Sequence, residues 1–111
     1  MKHSIIYSKG NRQWQGIPGI EIAPNGRLWA VFYSGGPKEP HRDNFILVCS
    51  NSDGGNTWSK PKVIVDPGTS PRAYDPTLWM DPKKRLWLIY NQTNLKKLKG
   101  DIRYISTKNP R

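Results

Sequence analysis

Apolar and polar positions alternate in short blocks along this chain. Apolar runs occupy 18–23, 27–33, 44–50, 60–65, 76–80, 85–91 and 101–107, and polar stretches rich in Gly, Pro, Asn and Asp separate them. Runs of this length bounded by such residues predict β-strands joined by turns. No window of helical length repeats apolar residues at i, i+3, i+4 and i+7, so an all-β chain with almost no helix is predicted. The runs 27–33 and 85–91 are apolar at odd and even positions alike. That pattern predicts strands covered on both faces.

The blocks repeat. Shifted by 58 residues, "IPGIEIAPNGRLWAVFY" (17–33) falls on "DPTLWMDPKKRLWLIYN" (75–91), with Pro18 on Pro76, Pro24 on Pro82, and Arg27-Leu28-Trp29 on Arg85-Leu86-Trp87. Continued without a gap, "DNFILVCSN" (43–51) falls on "DIRYISTKN" (101–109). Each unit reads as strand, turn ("APNG" or "DPKK"), strand, long polar loop (34–42 or 92–100) and strand. "KPKVIV" (60–65) adds a fourth strand to the first unit. A period of this size with this content suits one four-stranded propeller blade. Blade 1 is placed at about 16–66 and blade 2, incomplete, at about 72–111; 1–15, with "HSIIYS" (3–8), is assigned to an outer strand of a neighbouring blade.

Between the third and fourth strands lies "SDGGNTW" (52–58). Gly54 and Gly55 admit positive φ, Asp53 can accept turn amides, Thr57 can add a bond, and Trp58 can fold back on the sheet. A carboxylate used in this way serves the turn and not catalysis.

Composition narrows the class further. Ten Gly, ten Pro, five Trp and five Tyr fit short strands and tight turns. Eighteen Lys and Arg against eight acidic residues give a net charge of +10. Such a charge favours an acidic partner, whether nucleic acid, anionic lipid or an acidic glycan. Part of it lies in the loops "NLKKLKG" (94–100) and "DPKKR" (81–85), where it reads as a solvated basic surface, and of the partners an acidic glycan is the expectation. Without an RNP-like motif, zinc-ligand spacing or a basic helix, no nucleic-acid partner is expected. No membrane segment, metal site or cofactor is expected either. His3 and His41 lack ligand spacing and read as surface residues. Cys49 has no cysteine to pair with and reads as a buried thiol in a strand. The first residues hold no h-region or small-residue cleavage site, so they predict no signal peptide; the compartment stays open.

The ordered motifs resemble those of the sialidases (neuraminidases). "NSDGGNTW" is similar to their Asp-box, or BNR repeat, Ser-x-Asp-x-Gly-x-Thr-Trp: Asn51 stands where Ser is usual, while Asp53, Gly55, Thr57 and Trp58 match. Upstream, "GIPGIEIAPNGRLWAVFY" resembles the Arg-Ile-Pro motif and hairpin of a first sialidase blade, and "RAYDPT" (72–77) resembles the Arg-x-x-Asp-Pro-Thr opening of a second. The resemblance covers nearly the whole chain. It implies a propeller of about six blades, of which this is the N-terminal part, about two blades. Family members release terminal sialic acid with retention, using an Arg triad for the substrate carboxylate, an Asp acid/base and a Tyr–Glu nucleophile pair.

The resemblance carries over only in part. Gly16 stands where the motif has its Arg, so one arm of the carboxylate clamp is missing, and bidentate Arg recognition is hard to replace. Glu39 is the positional candidate for acid/base, with Asp43 next; a solvated loop carboxylate is the other reading for each. Asp75 matches the family Asp that faces the sugar, with Arg72 in the same run; the other reading is a strand-entry turn fixed by Pro76. The nucleophile pair belongs to blades outside these residues, and Tyr33 and Tyr90 read as packing. Trp14 reads as a sugar-stacking ring or a blade cap. The expected activity is that of a sialidase-like hydrolase acting on terminal acidic sugars. A carbohydrate-binding propeller without catalysis is an alternative. So is a polysaccharide lyase, for which His41 and Arg42 would supply base and cation. The chain alone is expected to be no competent sialidase and to self-associate through an exposed blade face.

Overall fold

The computed structural model describes residues 5–8, 10, 12–68, 71–94 and 99–110. The chain forms seven strands: β1 (Gln15–Ile22), β2 (Leu28–Ser34), β3 (Phe45–Asn51), β4 (Lys62–Val65), β5 (Pro71–Met80), β6 (Leu86–Asn94) and β7 (Lys99–Thr107). They build two antiparallel sheets, β1-β2-β3-β4 and β5-β6-β7, and no helix occurs among the described residues.

The double coverage predicted for β2 is present. Val31 and Tyr33 face the second sheet and join Ile46, Val65, Ala73, Leu88 and Tyr90 in one core. Ala30 and Phe32, on the opposite face of β2, pack with Leu47 and Cys49 under Ile6, Phe45 and Trp58. Burial raises the pKa of the Cys49 thiol, as its place in an apolar strand implies.

The two sheets repeat each other down to the backbone. Glu21 pairs with Trp29, and 58 residues later Trp79 pairs with Trp87. Both first strands carry an irregularity at the same place, with positive φ at Ile17 (51°) and Asp75 (49°), each just before a proline. The hairpins match as well: Ala23 N–H bonds Arg27 O at 2.8 Å and Asp81 N–H bonds Arg85 O at 2.9 Å. The third strands depart from the ungapped alignment. Val31 pairs with Val48, but its counterpart Ile89 pairs with Tyr104, so residue 48 corresponds to 104 and not to 106. Asp101 is therefore no counterpart of Asp43. A slip of two residues keeps every side chain on its face, which is why the hydrophobic pattern alone concealed it.

Three other expectations change. The loop expected at 92–100 is largely strand: Gln92, Thr93 and Asn94 pair with Asp101, Gly100 and Lys99. Polar side chains do not oppose pairing at a solvated hairpin end, where only the backbone bonds matter. Strand β5 starts at Pro71, before the expected 76. Residues 5–8 are not strand, and Ile6 lies instead against the outer core of the first sheet; His3 and the rest of 1–4 lie outside the described residues.

Two turns are organised by aspartates. Asp53 Oδ1 accepts the amides of Asn56 (3.1 Å) and Thr57 (3.0 Å), and Oδ2 accepts the Thr57 hydroxyl. The Thr57 hydroxyl bond, then its amide, hold the Asp53 carboxyl below its ordinary pKa. Asp81 is 5% exposed. Its Oδ1 accepts the Lys83 and Arg85 amides, at 2.8 and 2.9 Å, and its Oδ2 accepts Arg85 Nε (2.6 Å) and Trp87 Nε1 (2.8 Å). Burial opposes ionisation of Asp81, but the Arg85 amide, the Trp87 indole and the Arg85 guanidinium outweigh it and hold the carboxyl far below 3.8.

The sign of the pH effect follows. The unfolded chain takes up the Asp81 proton near 3.8, while the folded chain resists it, so the stabilisation is complete above that value and is lost as pH falls below it. The urea midpoint of the native chain is expected to fall as the pH drops from about 5 to about 2.5, the range around the ordinary carboxylate value. Asp81→Asn is expected to start less stable at neutral pH and to lose less on acidification. Equal acid sensitivity in the two proteins would refute this account.

Candidate functional site

One end of the paired sheets gathers polar side chains from three segments: the end of β2, the loop 35–44, and the start of β5. Gly35 lets the chain leave β2 tightly, with φ 96°; a Cβ there would sit 2.2 Å from Asp43 O. The loop is then closed by Asn44, which is fully buried. Asn44 Nδ2 donates to Gly35 O at 2.7 Å, Oδ1 accepts His41 N–H at 2.9 Å, and Asn44 O accepts Ala73 N–H at 3.1 Å. A single asparagine thus shapes the Glu39 loop and joins it to β5 beside Arg72.

Tyr33 and Arg72 form the centre. Tyr33 is fully buried and its hydroxyl lacks a hydrogen-bond partner of normal geometry. Burial pushes its pKa upward, the neighbouring Glu39 carboxylate adds to this, and Asp75 adds less; Arg72 pulls the other way. Glu39, Asp75 and Arg72 therefore all act on one phenol. Arg72 is 6% exposed. Its guanidinium lies 3.7 Å from the Tyr74 ring centroid and 5.8 Å from that of Tyr33, while Nε and Nη2 are buried without partners. A buried cation with unpartnered N–H groups is costly, and an anion or polar group that reached it would offset the cost.

Asp75 is exposed on its irregularity, with φ 49°. A positive φ in a residue before proline is costly, and such positions cluster where side chains are re-aimed. Pro76 alone does not require it, so a simple strand-entry turn understates this position. Trp14 closes the opposite side, edge-on to Tyr33 with ring centroids 4.7 Å apart. It also occupies the room beside Gly16, where a Cβ would lie 3.1 Å from its ring. The missing Arg and the Trp14 ring are thus two sides of one arrangement: a side chain at 16 would have to displace the indole.

Of the residues singled out in the sequence, Glu39, Asp75 and Arg72 are the charges that act on Tyr33, and Asp43 and Arg42 are not among them. Asp43 lies beside His41 instead, its amide donating to His41 Nδ1 at 3.1 Å. Asp53, Gly55, Thr57 and Trp58 belong to the β3–β4 turn, with Trp58 on the outer core of the first sheet. In the sequence Tyr33 reads as packing, and Tyr74 and Asn44 are not singled out. One signal was available for Tyr33: its counterpart in the repeat is the polar Asn91, so the position is not a plain core site. No group of three or more His, Cys, Asp or Glu able to hold a metal occurs among the described residues.

No protein-family model matches the chain, and no curated protein sequence matches it. Solved structures do. The chain is similar to a leech intramolecular trans-sialidase, determined with 2,7-anhydro-Neu5Ac after soaking with 3'-sialyllactose, with a TM-score of 0.67 and 20% identity over 84% of this chain. It is also similar to a Hadza microbial sialidase, with a TM-score of 0.65 and 16% identity over 86% of this chain. It spans 18% of the first protein and 22% of the second. The fold is that of a sialidase-like β-propeller, represented by two sheets that do not close a ring.

Proposed function

We propose that this chain contributes the first blades of a glycan-recognising propeller and binds an acidic terminal sugar at Tyr33, Arg72 and Asp75. The observation that carries this reading is the Arg72 guanidinium, buried with Nε and Nη2 unpartnered. A sugar carboxylate is the ligand that satisfies it best, because two parallel N–H···O bonds match the guanidinium fork. The Asp75 carboxylate accepts from sugar hydroxyls, and Trp14 offers an apolar ring face. The net charge of +10 draws acidic glycans towards the protein. The two solved sialidases supply the analogy for sugar recognition. Glycosidic bond cleavage would be a property of a whole propeller, with Glu39 as its candidate general acid.

A second reading, binding without cleavage, draws on Tyr33. It is fully buried, and burial raises its pKa, so this phenol suits hydrogen bonding in place and not attack on a sugar. Gly16 also leaves the carboxylate clamp one arm short. Both features suit recognition better than turnover.

The test is an NMR titration of the chain with N-acetylneuraminic acid, glucuronic acid and galactose. The acidic sugars are expected to shift the amides of Tyr33, Ala73 and Tyr74, with galactose giving little change. Arg72→Gln should lose the response to acidic sugars and keep a dispersed spectrum. A response to galactose equal to that of the acids, or an unaffected Arg72→Gln, would overturn the reading.

A further inference from the structure

The two sheets already contain one interface, and its two halves are each presented a second time. The inner face of the first sheet includes Gly19, Glu21, Val31 and Tyr33. Gly19 packs on Pro76 and Leu78, and Glu21 Oε2 accepts Met80 N–H at 3.0 Å. The register of β5 and β6 puts Thr77, Trp79, Ile89 and Asn91 at the equivalent positions of the second sheet, with Trp87 at that of Trp29. Those residues face away from the first sheet. With β7 they form an outer face on which Trp79 is 49%, Tyr104 65% and Ile102 76% exposed. Trp87 lies between Trp79 and Tyr104, with ring centroids 6.3 and 4.9 Å away, so the apolar surface is continuous.

The complementary half is open along β1, while its centre is covered: Ala30 and Phe32 are buried under Ile6, Phe45 and Trp58. Within the chain, Leu88 and Tyr90 of the second sheet supply the partner surface for the first. Their counterparts Ala30 and Phe32 lie on the outer face of the first sheet, beside Ile20 and Ile22, which are 57% and 54% exposed. There Ile6, Pro18, Ile20, Ala30 and Phe32 help to line a cavity of about 470 Å³. Each end of the molecule therefore presents the half that the other end lacks.

We infer that copies of this chain associate head to tail, the outer face of the second sheet of one copy docking on the outer face of the first sheet of the next. The occupant is a second copy because the contact continues, by the same repeat, an interface the chain already makes within itself. The inference is independent of the acidic-sugar reading. Such a heterologous contact generates a ring when its rotation closes. Propellers carry about four to eight blades, so closure takes about two to four copies of two sheets each. The charge of +10 on each copy opposes association, and salt relieves that opposition.

Sedimentation of the purified 111-residue chain over a range of concentrations, at low and moderate ionic strength, tests this. A reversible, discrete species of about two to four copies, favoured by salt, is expected. Ile102→Lys on one face and Ile20→Lys on the other should each weaken association about tenfold or more, because either buries a charge in an apolar contact. Trp79→Lys serves for the first face if Ile102→Lys does not fold by near-ultraviolet circular dichroism. An equimolar mixture of the Ile102→Lys and Ile20→Lys chains should form a dimer and nothing larger, since one intact contact joins them. A chain that stays monomeric throughout overturns the inference. So does open-ended aggregation, an Ile20→Lys chain that associates like the native one, or a mixture without dimer.

Discussion

Arg72→Met is expected to make the chain more stable, by about 1–3 kcal/mol, while abolishing its response to acidic sugars. The estimate follows from systems in which well-packed apolar residues replace buried charges at no cost or with a gain. Here the guanidinium is 6% exposed with two nitrogens unpartnered, so its desolvation is only partly offset by stacking on Tyr74. Methionine keeps an unbranched, adaptable apolar side chain near that ring and removes the unpartnered donors. Arg72→Lys is expected to recover little binding, because an ammonium lacks the planar fork. Urea denaturation gives the stability, and the NMR titration gives the binding. A Met variant less stable than the native chain would mean that Arg72 is a structural residue, and the site would lose its main support. A residue retained at a cost in stability is what a binding role predicts.

Asn44→Ala is expected to have the opposite effect, a loss of about 2–4 kcal/mol. Removing a buried hydrogen-bonding side chain leaves each former partner unsatisfied, at about 1–3 kcal/mol apiece. Three partners are affected, Gly35 O, His41 N–H and, through a longer bond, Lys38 O. The consequence reaches the site, because the loop between Gly35 and Asn44 carries Glu39. Denaturation of the variant should show the loss in stability, and the amide of Ala73, which bonds Asn44 O, should exchange faster with solvent. An effect below about 0.5 kcal/mol, the size of an ordinary surface change, would mean that water replaces the asparagine and that the loop is held by other contacts.

Much of this architecture follows from local patterns. Strands of β2 type, apolar at every position, can be satisfied only between two layers, and Val31 with Tyr33 on one face and Ala30 with Phe32 on the other meet that demand. The repeat of 58 residues survives as matching hairpins and matching positive φ at Ile17 and Asp75. The "SDGGNTW" turn closes on itself through Asp53 and Thr57, an arrangement set by residues four apart. In each case the partners are neighbours in sequence, or the requirement is a two-residue period, so the chain displays the cause directly.

The site was legible only in its charged members. Glu39, Arg72 and Asp75 could be nominated one by one from motif positions, but nothing local says that they meet at one phenol. That meeting depends on the sheets packing face to face, which brings the end of β2 against the start of β5. Tyr33 reads as another apolar strand residue, because burial and an unpartnered hydroxyl are properties of its surroundings. Asn44 reads as a loop residue, because two of its partners, Gly35 O and Ala73 N–H, are 9 and 29 positions away. The two-residue slip of the third strand was hidden for a related reason: it preserves which face each side chain occupies. Sequence by itself thus determined the strands, their faces, the turn chemistry and the doubling of the unit, since periodicity and short-range bonding fix these. Tertiary structure decided the register of β7, the convergence on Tyr33 and Arg72, and the two outer faces left open, because each depends on contacts between segments far apart in the chain.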